Sequence, residues 1–187
     1  MLAELADRGS ELVRRPARLM GEGAGPQKGL VFIDKGSGSG VQRGMVVVAG
    51  RSVVGRVRAA SASVSSVLLV TSVGSSFDGQ VASTGERGIV AGNGDGTMRM
   101  KYVMKSPPRV GEAVVTAGRD GRTPRGLVLG LVAACDRQPG GLTYDVTLRP
   151  VRDLDRLDAV DAVRPAVSFS DLPGEPARPA PGVRRDE

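Results

Sequence analysis

Between residues 29 and 165 the chain repeats one pattern, in which a short run rich in Val, Leu and Ile is closed by Gly, Ser, Asp or Pro. Eleven such runs follow each other roughly ten residues apart, from LVFID at residue 30 to DAV near residue 160. Runs of this length and spacing are typical of an all-β barrel or sandwich. Because no long segment with helical periodicity interrupts them, a βαβ nucleotide-binding architecture is disfavoured.

The residues between the runs predict tight strand connections. Gly92–Gly96 (GNGDG) separates RGIV from TMRMKY and supplies residues that adopt the positive φ of a hairpin turn. Asp120 and Gly121 begin a loop that reaches Gly126 before the next apolar run, and Gly55 within VVGRV predicts a bulge or a barrel corner. Small closed barrels have no free strand edges, which suits a chain rich in β-branched residues.

Residues 1–20 predict a short helix. Leu5, Leu12 and Leu19 recur every seven residues, and Pro16 ends or kinks the helix. Because the heptads are so few, the remnant of a coiled coil and an amphipathic helix that caps the domain explain the pattern equally well. The following residues, 21–28 (GEGAGPQK), predict a hinge.

The end of the chain reverses the strand pattern. Residues 151–161 predict a short helical turn before a last strand, with Leu154 and Leu157 at i and i+3. Residues 166–187 are dominated by Pro, Gly and charge and predict a disordered tail. The sequence contains neither a run of about 18 apolar residues nor a signal peptide, so we expect a soluble chain.

The composition excludes most kinds of catalytic centre. The chain has no histidine and one cysteine, Cys135, which rules out a Ser-His-Asp or Cys-His centre, a His-ligated metal and an internal disulfide. The carboxylates Asp153, Asp155, Asp158 and Asp161 alternate with arginines, so an exposed, ion-paired face explains them. We therefore predict no catalytic, cofactor-binding or metal-binding residue and no small-molecule substrate.

Two further motifs have ordinary structural explanations. Gly36–Gly40 (GSGSG) is not followed by the Gly-Lys-Ser/Thr of a P-loop or by a helix, so it predicts a loop between two strands. Cys135 lies within the apolar run LVLGLVAACD and predicts a small core residue rather than a reactive thiol.

The net charge of +6 belongs to the folded region. Residues 29–165 contain 18 of the 26 Lys and Arg residues and 12 of the 20 Asp and Glu residues, and residues 43–58 contain no acid. This excess fits solvated arginines, or a surface for nucleic acid, anionic lipid or an acidic protein. The aromatic residues of the region are too scattered for a base-stacking platform: Phe32, Phe77, Tyr102 and Tyr144. A small barrel that binds nucleic acid through its basic surface is the alternative function.

Five segments of the chain form an ordered series of motifs. They are LVFIDKGSGSGVQRGMVVVAGRSVVGRV (30–57), SSVLLVTSV (65–73), GERGIVAGNG (85–94), VGEAVVTAGRDGRTPRGLVLGLV (110–132) and VTLRPVRDLDRLDAV (146–160). In this order they resemble the extracytoplasmic domain of the rod shape-determining MreC family. The sequence departs from the family pattern at turns and strand ends: Glu112 for Asp, Ala117 for Ser, Thr123 for Phe, and Arg51-Ser52-Val53 for a Gly-Leu stretch.

The resemblance implies an all-β fold of two small six-stranded β-barrels at residues 29–165, preceded by the short N-terminal helix. We expect the second barrel, about residues 73–125, to be inserted in the first. The family carries no catalytic residues, and its recurring glycines imply backbone requirements at turns and bulges. They match Gly36, Gly44, Gly55, Gly88, Gly92, Gly118, Gly126 and Gly130.

The resemblance also implies a function. Family members are non-catalytic scaffolds of the cell-wall elongation machinery, and their partners include a class B penicillin-binding transpeptidase and the membrane protein MreD. They self-associate through a coiled coil on the extracytoplasmic face of the cytoplasmic membrane. We therefore expect a homodimer or self-assembly, with the membrane anchor missing from this chain, and disfavour nucleic acid as a partner. The groove between the barrels, or a barrel edge open to strand addition, is the expected partner surface.

Overall fold

A computed structural model describes residues 12–25, 28–103, 106–138 and 143–165. These residues form an all-β fold with two short 3₁₀ turns, Ser37–Ser39 and Leu154–Arg156. The strands are β1 (Leu12–Glu22), β2 (Leu30–Ile33), β3 (Val46–Ala49), β4 (Ser52–Ala60), β5 (Ser65–Leu69), β6 (Ser76–Val81), β7 (Arg87–Gly92), β8 (Met98–Val103), β9 (Ala113–Thr116), β10 (Val128–Arg137), β11 (Tyr144–Arg149) and β12 (Ala159–Pro165). The second 3₁₀ turn lies where the sequence predicts a short helical turn.

Strands β6 to β11 form a closed, antiparallel barrel, which confirms the all-β barrel prediction. They pair in the order β11-β8-β7-β6-β9-β10, and β10 pairs with β11 to close the ring. We call these six strands the inserted ring, because all of them lie between β5 and β12 in the chain. Phe77, Gly79 and Val81 of β6 are buried at every second position, as expected for a strand with one face toward a core.

The other six strands also close on themselves. They pair in the order β4-β3-β12-β1-β2-β5, and β4 pairs with β5. We call this set the terminal ring. In the described part of the chain, the strand ladders of the two rings meet in one parallel pair, between Ser52 of β4 and Val128 of β10.

The inserted ring extends further along the chain than residues 73–125. Strands β10 and β11 close it, and they end at Arg149. The loop that contains Pro124 and Gly126 joins β9 to β10, which are antiparallel neighbours with Val115 opposite Val128.

The predicted N-terminal helix is wrong over residues 12–20, which belong to β1; residues 1–11 lie outside the described residues. The first part of β1 pairs with β12, from Leu12 opposite Pro165 to Arg18 opposite Ala159, and its last residues pair with β2. Ala17 is buried and Leu19, two residues on, packs against the same apolar cluster. This period of two replaces the leucine heptad, because long-range strand pairing satisfies the backbone.

The predicted hinge at 21–28 and tail at 166–187 have different outcomes. Gly21 and Glu22 are the last residues of β1 and pair with Phe32 and Val31, so a strand occupies the start of the predicted hinge. Residues 26–27 and the predicted tail lie outside the described residues.

Strand β3 packs between two apolar clusters. All four of its residues are buried: Val47 and Ala49 join the cluster inside the terminal ring, whereas Val46 and Val48 join the cluster inside the inserted ring. Successive side chains of a strand point to opposite faces, so a strand with apolar contacts on both sides has no polar position. The run VVVA therefore connects the two rings through a continuous apolar interface.

The eight glycines implied by the resemblance lie at positions with backbone constraints. A Cβ atom on Gly55 of β4 would overlap the carbonyl oxygen of Leu68 in β5, and Gly126 has a φ of +81°. The others fall into the same two classes: close approach at Gly36, Gly88, Gly92 and Gly130, and positive φ at Gly44 and Gly118.

We predict that Gly55→Ala lowers the free energy of unfolding by about 3 kcal/mol, because the new methyl group meets a backbone atom that no rotamer change can move. Gly96→Ala is the matched control. No atom lies within 4 Å of a Cβ there, and the φ of +87° should cost about 1 kcal/mol. Urea denaturation followed by circular dichroism measures both. Equal losses would contradict the close approach of β4 and β5.

Candidate interaction surface between the two rings

Arg56 of β4 joins the two rings through three contacts. Its side chain points away from the terminal-ring core and toward residues of the inserted ring. Nη1 lies 3.7 Å from Oδ2 of Asp120, and Nη2 donates a hydrogen bond of 3.0 Å to Oγ1 of Thr123. The guanidinium carbon lies 4.5 Å from the centre of the Phe77 ring, within the range of a cation–π interaction. One arginine thus makes an ion pair, a hydrogen bond and an aromatic contact across the junction.

Asp120 and Thr123 are held in position by their own loop. Oδ1 of Asp120 accepts hydrogen bonds from the backbone N–H groups of Arg122 (3.0 Å) and Thr123 (2.7 Å). The Thr123 hydroxyl donates to Oδ2 of Asp120 at 2.7 Å, which leaves its oxygen free to accept from Arg56. This side-chain turn after an Asp is a common way to shape a loop, so Asp120 reaches Arg56 already oriented.

Burial and charge shift the pKa values of this pair. Burial lowers the pKa of Arg56, with a further lowering by the nearby charge of Arg122, while Asp120 opposes both. Burial acts to raise the pKa of Asp120, but the hydrogen bonds from Thr123 and Arg122 and the charge of Arg56 outweigh it, so the pKa lies below its ordinary value. Asp120 is therefore ionised at neutral pH.

A backbone contact beside Arg56 also joins the rings. The N–H of Val128 donates to the carbonyl oxygen of Arg51 at 2.8 Å, and Nη2 of Arg51 donates to the carbonyl oxygen of Gly126 at 3.2 Å. The start of β4 is thereby bound to the start of β10.

Four arginines line one open cleft of about 520 Å³ at this junction. Arg43, Arg56 and Arg58 come from the acid-free stretch of the terminal ring, and Arg122 comes from the loop between β9 and β10. We call this site the arginine cleft. Its other lining residues are Gly44, Val57 and Leu68. The sequence indicates the basic stretch, but Arg122 is 64 residues from Arg58 and only the fold brings it there.

The Gly36–Gly40 loop has no free row of amides for a phosphate. The N–H groups of Ser37 and Gly38 donate to the carbonyl oxygens of Ser61 and Ala62, at 2.8 and 3.0 Å. The N–H groups of Ser39, Gly40 and Val41 donate within the loop itself. The segment connects β2 to β3, in agreement with the interpretation as a loop between strands.

Cys135 and the aspartate cluster also lie in structural settings. Cys135 is half-buried against the inserted-ring core, and burial, followed by the charge of Asp136, raises the pKa of its thiol. Asp153 pairs with Arg156 at 3.2 Å, and Asp161 pairs with Arg14 at 3.5 Å. Within the described ranges, no three His, Cys, Asp or Glu side chains are grouped to hold a metal ion.

Sequence reasoning missed Arg56, Asp120 and Thr123 as a linked group. The available signals were an arginine within an apolar strand and an Asp-Gly turn after β9. Thr123 is one of the departures from the family pattern, and it supplies the hydroxyl that connects Asp120 to Arg56. No helix in the described part of the chain has the length and apolar character needed to cross a membrane.

Comparison with known proteins identifies relatives of this chain. A family model described as rod shape-determining protein MreC, barrel core, matches residues 19–164. The chain is 36% identical over 115 residues to the cell shape-determining protein MreC of Caulobacter vibrioides (strain NA1000 / CB15N), a match that covers 61% of this chain and 33% of that protein. The chain spans about a third of the length of the curated relatives it matches.

Solved structures match the same fold. The crystal structure of MreC from Pseudomonas aeruginosa is similar with a TM-score of 0.74 and 25% sequence identity, over 81% of this chain and 98% of that one. The complex between Penicillin-Binding Protein (PBP2) and MreC from Helicobacter pylori contains a similar chain, with a TM-score of 0.63 and coverage of 81% and 98%. At 13% identity this second match shows the fold alone.

We predict that Arg56 and Asp120 are energetically coupled. Arg56→Met keeps an unbranched apolar side chain beside Phe77 and removes the guanidinium, and Asp120→Asn removes the charge with little change of shape. A double-mutant cycle by urea denaturation should give a coupling energy of about 0.5 to 1 kcal/mol. Additive losses would show that the two groups act independently.

We also predict that Asp120 contributes to stability in a pH-dependent way. Its pKa is lower in the folded chain, so its contribution is present above the unfolded pKa and is lost as the pH falls through the folded pKa. The stability difference between wild type and Asp120→Asn should therefore be largest near pH 7 and shrink below about pH 4. Asp158→Asn, at an exposed residue, is the control. A difference that stays constant down to pH 2 would contradict the prediction.

Proposed function

The chain belongs to the MreC family of rod shape-determining proteins, and we propose that it is a non-catalytic scaffold of the bacterial cell-wall elongation machinery that helps to control cell shape. The observation that carries the proposal is the family match over residues 19–164, which spans both rings. The composition agrees with it, since a chain with no histidine and one cysteine lacks the commonest nucleophilic and metal centres.

We propose that the two rings are two small barrels that act as one rigid unit. The valines of β3, the ladder contact between Ser52 and Val128, and the contacts of Arg56 support this, because each joins one ring to the other. We take the second barrel to comprise residues 76–149, inserted in the first. A scaffold needs such rigidity, because a fixed surface orders its partners with little loss of conformational entropy on binding.

We propose a class B penicillin-binding transpeptidase as the main partner. The support is the complex of PBP2 with the Helicobacter pylori MreC, whose fold this chain shares. The resemblance to the family adds MreD, and self-association into a dimer or larger assembly, as further proposed partners. We propose that the chain lies on the extracytoplasmic face of the cytoplasmic membrane, where these partners act. The basic surface alone supports the alternative of nucleic-acid binding, and the family match does not favour it.

A binding experiment tests the proposal. The purified chain is immobilised, and the soluble domain of the class B transpeptidase from the same bacterium is applied in biolayer interferometry, with a class A penicillin-binding protein as the specificity control. We expect saturable binding of the class B protein with a dissociation constant of about 10 μM or tighter, and none of the control. Equal responses to both proteins, or no response up to about 100 μM, would refute the proposed partner.

A further inference from the structure

We infer that the arginine cleft binds a carboxylate-rich segment of a partner protein. The inference rests on the proposed scaffold function, because it names the chemistry of a partner contact. The cleft is lined by Arg43, Arg56, Arg58 and Arg122. Arg122 is the one lining residue from the inserted ring, so all four arginines come together only in the assembled fold.

The arginine cleft carries an excess of positive charge. Among the described residues, Arg56 is paired with Asp120, whereas Arg43, Arg58 and Arg122 form no ion pair with a carboxylate. The three unpaired arginines are exposed, and the charge of Arg122 already lowers the pKa of Arg56. An anion placed beside Arg122 and Arg56 offsets the repulsion between these two guanidinium groups. The free energy gained on binding an acidic ligand is therefore larger at this site than at an isolated surface arginine.

The size and lining of the cleft suit a short peptide segment. Its volume of about 520 Å³ lies within the usual range for ligand sites and suits a few side chains of a peptide. Guanidinium groups bind carboxylates through two parallel hydrogen bonds, which gives geometric specificity. Half-buried Leu68 adds apolar surface beside the charges. A segment that mixes acidic and aliphatic residues matches both features.

The lining of the cleft also disfavours nucleic acid as the ligand. None of the residues that line the cleft is aromatic, and the nearby ring of Phe77 is only 2% exposed and covered by Arg56. Bases therefore have no surface on which to stack. The N–H of Gly44, which also lines the cleft, donates to the carbonyl oxygen of Val57 at 2.9 Å and is not free for a phosphate. The lining favours carboxylates on a peptide.

Fluorescence anisotropy with a labelled twelve-residue peptide of Glu and Leu tests the inference. A peptide with Gln in place of every Glu is the ligand control. The cleft variant Arg43→Gln/Arg58→Gln/Arg122→Gln is compared with Arg87→Gln/Arg99→Gln/Arg149→Gln, which removes the same charge from exposed arginines of the inserted ring. Arg56 is left intact in both, so the contacts between the rings are preserved.

We expect wild type and the inserted-ring variant to bind the acidic peptide within twofold of each other, and the cleft variant at least tenfold more weakly. The Gln peptide should not bind. Equal weakening of both variants, or no binding by wild type, would overturn the inference. Tighter binding of single-stranded RNA through the same three arginines would overturn the assignment of the ligand.

The transpeptidase assay, run in parallel on wild type, separates this inference from the proposed function. Transpeptidase binding without peptide binding overturns the arginine cleft as an acidic site and leaves the scaffold function standing. Peptide binding that is lost only in the cleft variant supports the arginine cleft as an acidic-ligand site. If the transpeptidase fails to bind in that case, only the proposed partner is refuted.

Discussion

The packing of terminal-ring valines against the inserted-ring core is the interaction on which the rest of the structure depends. Val46 and Val48 of β3, Val53 of β4 and Val163 of β12 are all buried in the apolar cluster of the neighbouring ring. Burial of such side chains contributes about 1.5 to 3 kcal/mol each relative to exposure. If the rings were apart, these side chains would be exposed to water, so each ring depends on the other for stability.

A polar group at an apolar junction controls orientation more than it adds stability. The hydrophobic effect has little directional preference, so burial of the valines favours contact between the rings more than it favours one orientation. Arg56 removes this freedom, since its partners Asp120 and Thr123 satisfy it in one geometry only. The arginine cleft lies beside this contact, so the fixed orientation of the rings also fixes the arrangement of its arginines.

The sequence predicted the strands well and their partners less well. Strand character depends on local alternation and on turn residues such as Gly92–Gly96, which can be recognised within ten residues. The spacing of residues 12–20 predicts a helix, whereas they belong to β1, because the pairing partners of this strand, β12 and β2, lie elsewhere in the chain and local spacing carries no information about them. Likewise, nothing in the residues next to Arg122 indicates that it lines the cleft, whereas the acid-free arginine stretch can be recognised in the sequence.

The pairing of β1 with β12 has a mechanical consequence. Leu12 lies opposite Pro165, so the first and last described residues are neighbours in one antiparallel ladder, about 5 Å apart. Tension applied between these two ends would act across the ladder and open its hydrogen bonds one after another, starting at Leu12. Tension applied from Leu12 alone, with the rings held by a partner, would load the same bonds. Traction on these two strand ends therefore opens the terminal ring along the ladder between β1 and β12.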